Sequence, residues 1–238
     1  MTIQEATAAA DAGVIVPGAP GSNDGAQYEL SPDLVTLSDN RLAEAEAIRT
    51  VRTHIMARHV VDGRRGLAIC APTPGVGCTF TAANLAVSLA QIGVATLLID
   101  GDLRAPSVEN FIRPLTPTPG LRQCITSNEV QANEAIHPNV LPNLSVLYSG
   151  GATDSAQELL GGETFRRLIE SCLRDFEFTI IDTPPTSRCA DALRISTTIG
   201  YGVIVARRNF SLFNDIATLA SQLREDGSRI VGTVLNEV

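Results

Sequence analysis

The sequence contains no lysine. All 18 of the basic Lys+Arg residues in this chain of 238 residues are arginine. A site that ordinarily uses a lysine ammonium group therefore has no second lysine to replace it. Any permanent positive charge on a side chain has to come from arginine.

Basic residues are also scarce relative to acidic ones. The 18 arginines stand against 26 Asp and Glu residues, which gives a formal net charge of -8 and a pI near 4.9. A protein that binds nucleic acid through its phosphate backbone needs a basic face or stripe. We therefore expect no nucleic-acid partner.

Long apolar runs are missing as well. No segment reaches the roughly 18 apolar residues of a membrane span, and no basic region precedes an apolar stretch near Met1. We expect a soluble, cytoplasmic protein unless a partner holds it at the inner face of the cell membrane.

Patterns typical of disulfides or metal centres are absent from the sequence. The cysteines are odd in number and lack paired spacing, and the histidines show neither ligand spacing nor a nucleophile partner. We expect reduced core thiols and histidines with structural or surface roles. The residues are Cys70, Cys78, Cys124, Cys172 and Cys189, with His54, His59 and His137.

Alternating apolar and helical segments predict an α/β fold. Residues 1–38 are rich in small and polar residues without a sustained period, and we expect a flexible N-terminal segment there. Residues 39–238 alternate short apolar strands with helices, which predicts one domain with a mainly parallel sheet and helices on both faces. The proline-rich stretch 113–143 is expected to be an irregular surface excursion near the mouth of the site, with one helical candidate near Leu121 to Ile136.

A glycine-rich turn lies between an apolar strand and a helix of small residues. It resembles the pattern G-x-x-x-x-G-K-[ST], in which backbone N–H groups wrap phosphates, the lysine neutralises them and the hydroxyl binds Mg²⁺. Pro72 stands in place of the first glycine and Cys78 in place of the lysine. The alternative is a plain strand-to-helix connection. The cofactor-binding candidates are Gly75, Val76, Gly77, Cys78 and Thr79.

Cys78 has two interpretations of its own. A thiol at a helix N-terminus can have a lowered pKa and be reactive. Alternatively, the thiol only fills space in a helix of small residues.

Charged residues follow three of the predicted strands. Asp100 and Asp102 alternate at the end of an extended segment, an arrangement that suits Mg²⁺ binding and proton abstraction, and Asp182 ends another strand. In the alternative, Asp102 caps the next turn and Arg104 pairs with Asp100. The pair Arg207-Arg208 follows a later strand and either meets a phosphate or a partner, or is simply solvated.

A predicted helix at 41–59 carries a ladder of three charged residues, Glu46, Arg49 and Arg52. These residues form either a solvated face or a surface for self-association. Together with the loop, the strand-end acids and the run Gly232 to Asn236, this ladder resembles the cytoplasmic domain of bacterial tyrosine kinases. These are the CpsD/CapB-like polysaccharide-biosynthesis autokinases within the deviant P-loop group, and the resemblance extends from about Glu44 to the C-terminus.

The resemblance implies a P-loop NTPase-like domain that uses ATP and Mg²⁺. It also implies a homo-oligomer formed through Glu46, Arg49 and Arg52, and a membrane polysaccharide co-polymerase or chain-length regulator as partner. Carried over by position, the metal-binding residues are Thr79, Asp100 and Asp182. The catalytic residues, if the chain is active, are Asp100 and Asp102.

Two departures from the family pattern bear on activity. A neutral thiol at Cys78 cannot screen a triphosphate, which should slow phosphoryl transfer on the order of a thousandfold or more. Family kinases also end in a tail of clustered tyrosines, whereas this sequence has only Tyr28, Tyr148 and Tyr201.

The sequence therefore favours a degenerate kinase-like protein that regulates a co-polymerase in exopolysaccharide or capsule synthesis and export. The first alternative is an active ATP-dependent protein tyrosine kinase or ATPase of the same pathway. The second is a partitioning-type positioning ATPase, which the acidic charge opposes.

Overall fold

A seven-stranded sheet forms the centre of the computed structural model, which describes residues 14–17, 27–60, 63–126 and 130–237. The strand order is β10-β9-β3-β8-β4-β7-β6, and all pairs are parallel except β6 with β7. The mainly parallel sheet confirms the predicted α/β class. The strands are β3 (Gly66–Cys70), β4 (Thr96–Asp100), β6 (His137–Leu141), β7 (Leu144–Leu147), β8 (Phe178–Asp182), β9 (Tyr201–Arg207) and β10 (Arg229–Asn236).

Helices cover both faces of this sheet. Leu67 and Ile69 of β3 belong to one apolar cluster, while Ala68 and Cys70 belong to a second cluster, because successive side chains of a strand point to opposite faces. The helices are α1 (Leu42–Ile55), α2 (Cys78–Ala90), α3 (Leu121–Thr126), α4 (Ala132–Ala135), α5 (Ala156–Leu160), α6 (Glu163–Asp175), α7 (Asp191–Ile199) and α8 (Phe213–Glu225). Short 3-10 turns lie at Val35–Leu37 and Val108–Asn110, and a π-helical turn at Met56–Val60 follows α1.

Helix α2 is buried along most of its length. Ten of its 13 residues are buried, and most of these are small, which lets the helix approach the sheet and α1 closely. Its first residue, Cys78, directly follows the glycine-rich turn. The packing therefore fixes the position of that turn relative to the strands.

The predicted flexible N-terminal segment is structured in part. Strands β1 (Val14–Pro17), β2 (Gln27–Leu30) and β5 (Ile112–Pro114) form a small antiparallel sheet. Tyr28 and Leu34 are almost fully buried, and the Tyr28 hydroxyl lies 2.9 Å from His137 Nδ1. The expectation of flexibility was thus wrong for residues 27–38, because long-range contacts supply the order that the local pattern does not indicate. Residues 1–13 and 18–26 lie outside the described residues.

The proline-rich stretch is also more regular than expected. It contains α3, α4 and β6, and Leu121, Ala135 and Val140 are buried. Its helices and its strand therefore contribute side chains to the core, while residues 113–119 lie at the surface. Within the described ranges, no helix combines the length and apolar character needed to cross a bilayer.

Candidate functional site

The glycine-rich turn and the strand-end acids meet at one edge of the sheet. Strands β3, β8 and β4 are neighbours and run parallel, so their carboxyl ends lie side by side. Asp100 and Asp182 are direct register partners across β4 and β8. This is the edge at which ligands bind in open α/β sheets.

Two glycines give the turn its shape. Gly75 and Gly77 have φ angles of 75° and 88°, a left-handed conformation that glycine adopts readily. At Gly77 a Cβ atom would also lie 2.2 Å from Nδ2 of Asn236. Gly77 is the N-cap residue of α2, so the turn leads into a helix end whose free N–H groups favour an anion.

The Cys78 thiol points back toward the sheet. Its Sγ atom lies 3.1 Å from the carbonyl oxygen of Ile69 and 3.6 Å from that of Thr183. Burial raises the pKa of the thiol well above its usual value, and the negative charge of Asp182 adds to this shift. A protonated thiol is a poor nucleophile, so the geometry favours the space-filling interpretation of Cys78.

Asp182 has one satisfied and one unsatisfied carboxylate oxygen. Thr79 Oγ1 donates a hydrogen bond of 2.6 Å to Asp182 Oδ2 and also lies 2.7 Å from Ser107 Oγ. Asp182 Oδ1 is buried and has no hydrogen-bond partner among the described residues. A buried carboxylate oxygen without a partner is costly and indicates a ligand position.

Asp100 is held by the loop that follows its own strand. Its carboxylate accepts backbone N–H bonds from Ser107 at 3.1 Å and Val108 at 3.0 Å. Burial raises the pKa of Asp100, and repulsion from Asp182 raises it further. Burial likewise raises the pKa of Asp182, although the Thr79 hydrogen bond opposes the shift. Two like charges are thus confined where water cannot screen them.

The donor atoms at this edge fit Mg²⁺. Carboxylate and hydroxyl oxygens are the ligands that this ion prefers, and it usually keeps several waters and takes phosphate oxygens as further ligands. The hydroxyl of Thr79 and the unsatisfied oxygen of Asp182 are the residues present for it, with Asp100 beside them. Among the described residues there is no cluster of three or more His, Cys, Asp or Glu side chains arranged for a metal, so the protein alone does not enclose the ion.

Asp102 and Arg104 follow the structural alternative in part. Asp102 Oδ1 accepts the N–H groups of Arg104 at 3.0 Å and Ala105 at 2.9 Å, which caps the turn as that alternative predicts. Arg104 pairs with the buried Asp191 at 2.6 Å and not with Asp100. The catalytic role of Asp102 stays a prediction.

The two arginines after β9 differ in their contacts. Arg207 Nη1 donates a hydrogen bond of 3.2 Å to the carbonyl oxygen of Gly75, so this side chain reaches the glycine-rich turn. Arg208 instead pairs with Glu237 at 2.8 Å. The position of both arginines at the end of a parallel strand could be predicted from the sequence. Which of the two contacts the glycine-rich turn could not.

The three charged residues of α1 do not form one free ladder. Arg49 pairs with Glu46 at 3.3 Å on the exposed side of the helix. Arg52 Nη1 instead donates to both the carbonyl oxygen and Oγ of Ser88 on α2, each at 3.1 Å. Self-association through all three residues stays a prediction, and Arg52 already has an intramolecular role.

Replacing Arg52 with alanine is expected to lower the free energy of unfolding by about 1–2 kcal/mol, because two acceptors on Ser88 lose a partly buried charged donor. The matched variant Arg49→Ala removes an exposed pair and should cost less than about 0.5 kcal/mol. Urea unfolding at two protein concentrations measures both effects. Equal costs for the two variants, or a cost that varies with concentration, would contradict the intramolecular role of Arg52.

Comparisons with known proteins agree with this geometry. A protein family described as "AAA domain" matches residues 65–213. The tyrosine-protein kinase CpsD of Streptococcus agalactiae is 31% identical over 206 residues, which cover 84% of this chain and 88% of that protein. The crystal structure of the chimerical protein CapA2B2 has a TM-score of 0.77 and 28% identity, and the match covers 87% of this chain and 90% of that one.

Some relatives are much longer. The tyrosine-protein kinase ptk of Acinetobacter johnsonii is 30% identical over 193 residues, which are 81% of this chain but 26% of that protein. The match to the AAA-domain family spans more than half of the chain, and the match to CpsD spans most of both proteins. The chain therefore belongs to the P-loop AAA-domain family, among the relatives named bacterial tyrosine-protein kinases.

Proposed function

We propose that this protein is a catalytically impaired member of the bacterial tyrosine-kinase family that regulates a membrane polysaccharide co-polymerase in exopolysaccharide or capsule synthesis and export. The observation that carries the proposal is the Cys78 thiol. It occupies the lysine position of the loop and turns toward the carbonyl oxygens of Ile69 and Thr183, so it brings no charge to a phosphate.

The remaining parts of the site support nucleotide binding more than turnover. The free N–H groups at the start of α2 favour an anion, and Thr79 with Asp182 would hold Mg²⁺. When bound with ATP, that ion would neutralise part of the phosphate charge. The loop lysine ordinarily stabilises the charge of the transferring phosphoryl group, and its loss slows transfer far more than it weakens binding of the ground state.

An exposed apolar patch next to the site supports a protein partner. Phe210, Leu212 and Phe213 are exposed by 53%, 66% and 80%, and they follow β9 at the edge where Arg207 meets the loop. Exposed apolar side chains in close succession mark interaction surfaces more often than isolated ones do. The family resemblance suggests the cytoplasmic segment of a co-polymerase as the partner.

A second candidate is an active ATP-dependent tyrosine kinase or ATPase. It is favoured by the 3.2 Å contact between Arg207 and the loop carbonyl of Gly75, which supports a guanidinium group on the glycine-rich turn. Arginine stabilises phosphoryl transfer in other nucleotide enzymes. The two candidates differ in whether labelled phosphate is transferred to tyrosine.

The test combines a pull-down with a transfer assay on the same purified protein. Immobilised cytoplasmic segments of co-polymerases from the same genome are expected to retain the wild-type protein, and Phe213→Ser should reduce retention at least tenfold. The control Ile92→Ser changes a residue that is 48% exposed beyond the other end of α2, and it should have no effect. Labelled ATP should give no tyrosine phosphorylation above that of Asp100→Asn.

Each arm of this test has an opposing result. Retention by no co-polymerase segment, or equal retention of Phe213→Ser and wild type, would refute the regulatory proposal. Tyrosine phosphorylation that Asp100→Asn abolishes would establish the second candidate in its place.

A further inference from the structure

We infer that Arg207 holds the glycine-rich loop in its anion-binding conformation and places a positive charge beside it, so that it partly replaces the missing lysine in binding a nucleoside polyphosphate. The inference rests on the proposed use of the loop as a nucleotide site. It assigns Arg207 a positioning role in binding.

Two side chains hold neighbouring carbonyl groups of the loop. Arg207 Nη1 donates to the Gly75 carbonyl and Asn236 Nδ2 donates to the Val76 carbonyl, each at 3.2 Å. Arg207 and Asn236 are the last residues of β9 and β10 and are direct register partners in the sheet. The sheet therefore fixes the spacing of the two donors, and the donors fix two successive peptide groups.

This contact determines where the loop N–H groups point. In a planar trans peptide the C=O and N–H bonds point in opposite directions. A Gly75 carbonyl turned toward Arg207 therefore directs the N–H of Val76 to the opposite side, and the Val76 carbonyl does the same for the N–H of Gly77. Among the described residues, neither N–H group has a protein acceptor. Both are available to an anion.

The charge on Arg207 adds to this orientation. A cation that binds a carbonyl polarises the peptide and strengthens the N–H donor at its other end. The Arg207 guanidinium also lies 5.6 Å from the centre of the Phe210 ring, which restricts its motion. Elsewhere at this edge, Arg104 pairs with Asp191 and Arg208 with Glu237. Arg207 is thus the cation that the described structure places on the loop.

The binding test compares Arg207 with its neighbour in the chain. Calorimetry with Mg²⁺-ADP is expected to show that Arg207→Gln weakens binding about tenfold or more, in line with the loss of a charge-assisted contact. Arg207→Lys keeps the charge without the guanidinium fork and should weaken binding about threefold. The matched control Arg208→Gln removes an equal charge one residue away and should stay within about twofold of the wild type.

A second measurement tests the positioning role without nucleotide. In the ligand-free protein, ¹⁵N relaxation of the Val76 and Gly77 amides should give order parameters near those of a rigid backbone, about 0.85, and Arg207→Gln should lower them toward about 0.6. Arg208→Gln should leave them unchanged. A residue that only stabilised the fold would not act on these two amides alone.

The outcomes separate this inference from the proposed function. If Arg207→Gln binds Mg²⁺-ADP as tightly as the wild type, or leaves both amides rigid, Arg207 does not hold the loop, whatever the protein does in the cell. If the wild type binds no nucleotide, the inferred role in binding is refuted as well, while the co-polymerase pull-down still tests the regulatory function. Should Arg207→Gln fail to fold, wild-type affinity in Arg207→Lys would overturn the inference.

Discussion

Replacing Cys78 with lysine is expected to tighten the binding of Mg²⁺-ATP by about 10- to 100-fold, because an ammonium group then meets the phosphate chain at a helix N-terminus. The wild-type thiol makes only weak contacts with the carbonyl oxygens of Ile69 and Thr183, so little is lost on replacement. The new charge also lies close to the buried Asp182, whose charge acts on residue 78 in the wild type. The lysine should therefore be tolerated in the ligand-free protein too.

Calorimetry measures this gain, and labelled phosphate transfer shows whether activity returns with it. The control Cys78→Met has an unbranched side chain of similar reach without a charge, and it should bind no more tightly than the wild type. If Cys78→Lys and Cys78→Met bind alike, the loop has lost more than one charge. Turnover in Cys78→Lys that Asp100→Asn removes would show that the aspartates are arranged for transfer and that the lysine was the missing part.

Replacing Asp182 with asparagine is expected to stabilise the ligand-free protein at pH 8 by about 1–3 kcal/mol while removing Mg²⁺-dependent nucleotide binding. In the folded protein, burial raises the pKa of both Asp100 and Asp182, whereas the unfolded chain has ordinary carboxyl groups. At a pH above the usual carboxyl pKa, these carboxyl groups ionise more readily in the unfolded chain than in the folded protein. The free energy of unfolding therefore falls as the pH rises toward the raised pKa values. An amide at residue 182 removes one of the two negative charges that repel each other, and its oxygen still accepts the hydrogen bond from Thr79.

Thermal unfolding at pH 5 and pH 8 tests the sign of this change in stability. The melting temperature is expected to shift by about 2 to 4 °C for each kcal/mol. The stabilisation should be small at pH 5, where the wild-type pair is largely protonated, and large at pH 8. The control Asp154→Asn changes an exposed carboxylate and should shift stability by less than about 0.5 kcal/mol at either pH. An Asp182→Asn protein that is no more stable than the wild type at pH 8 would mean that the two carboxylates are not in conflict.

Sequence patterns correctly predicted those parts of the protein whose structure depends mainly on neighbouring residues in the chain. The apolar strands, the glycine-rich turn and the acids at strand ends all have short-range signals, and the sheet brings Asp100 and Asp182 together as parallel topology requires. The order of residues 27–38 lacks such a signal. It comes from contacts such as that between Tyr28 and His137, which are 109 residues apart.

The contacts that distinguish one arginine from another were also beyond local patterns. Arg104 meets Asp191 across 87 residues of sequence, and Arg207 meets Gly75 across 132. Strand β6 was missed for a different reason. Pro138 lies within it and Pro142 directly follows it, yet proline is tolerated on an edge strand, and β6 is the edge of the sheet.

Helix α2 links two parts of the molecule that are far apart in space. Cys78 at its start and Ser88, which receives Arg52 from α1, are ten residues apart, about 15 Å along the axis. A helix buried on most sides moves as one rod, since its packing leaves no room for bending. Because its packing against the sheet fixes this rod, a displacement of α1 would have to break the contact between Arg52 and Ser88 rather than carry α2 and the glycine-rich turn with it.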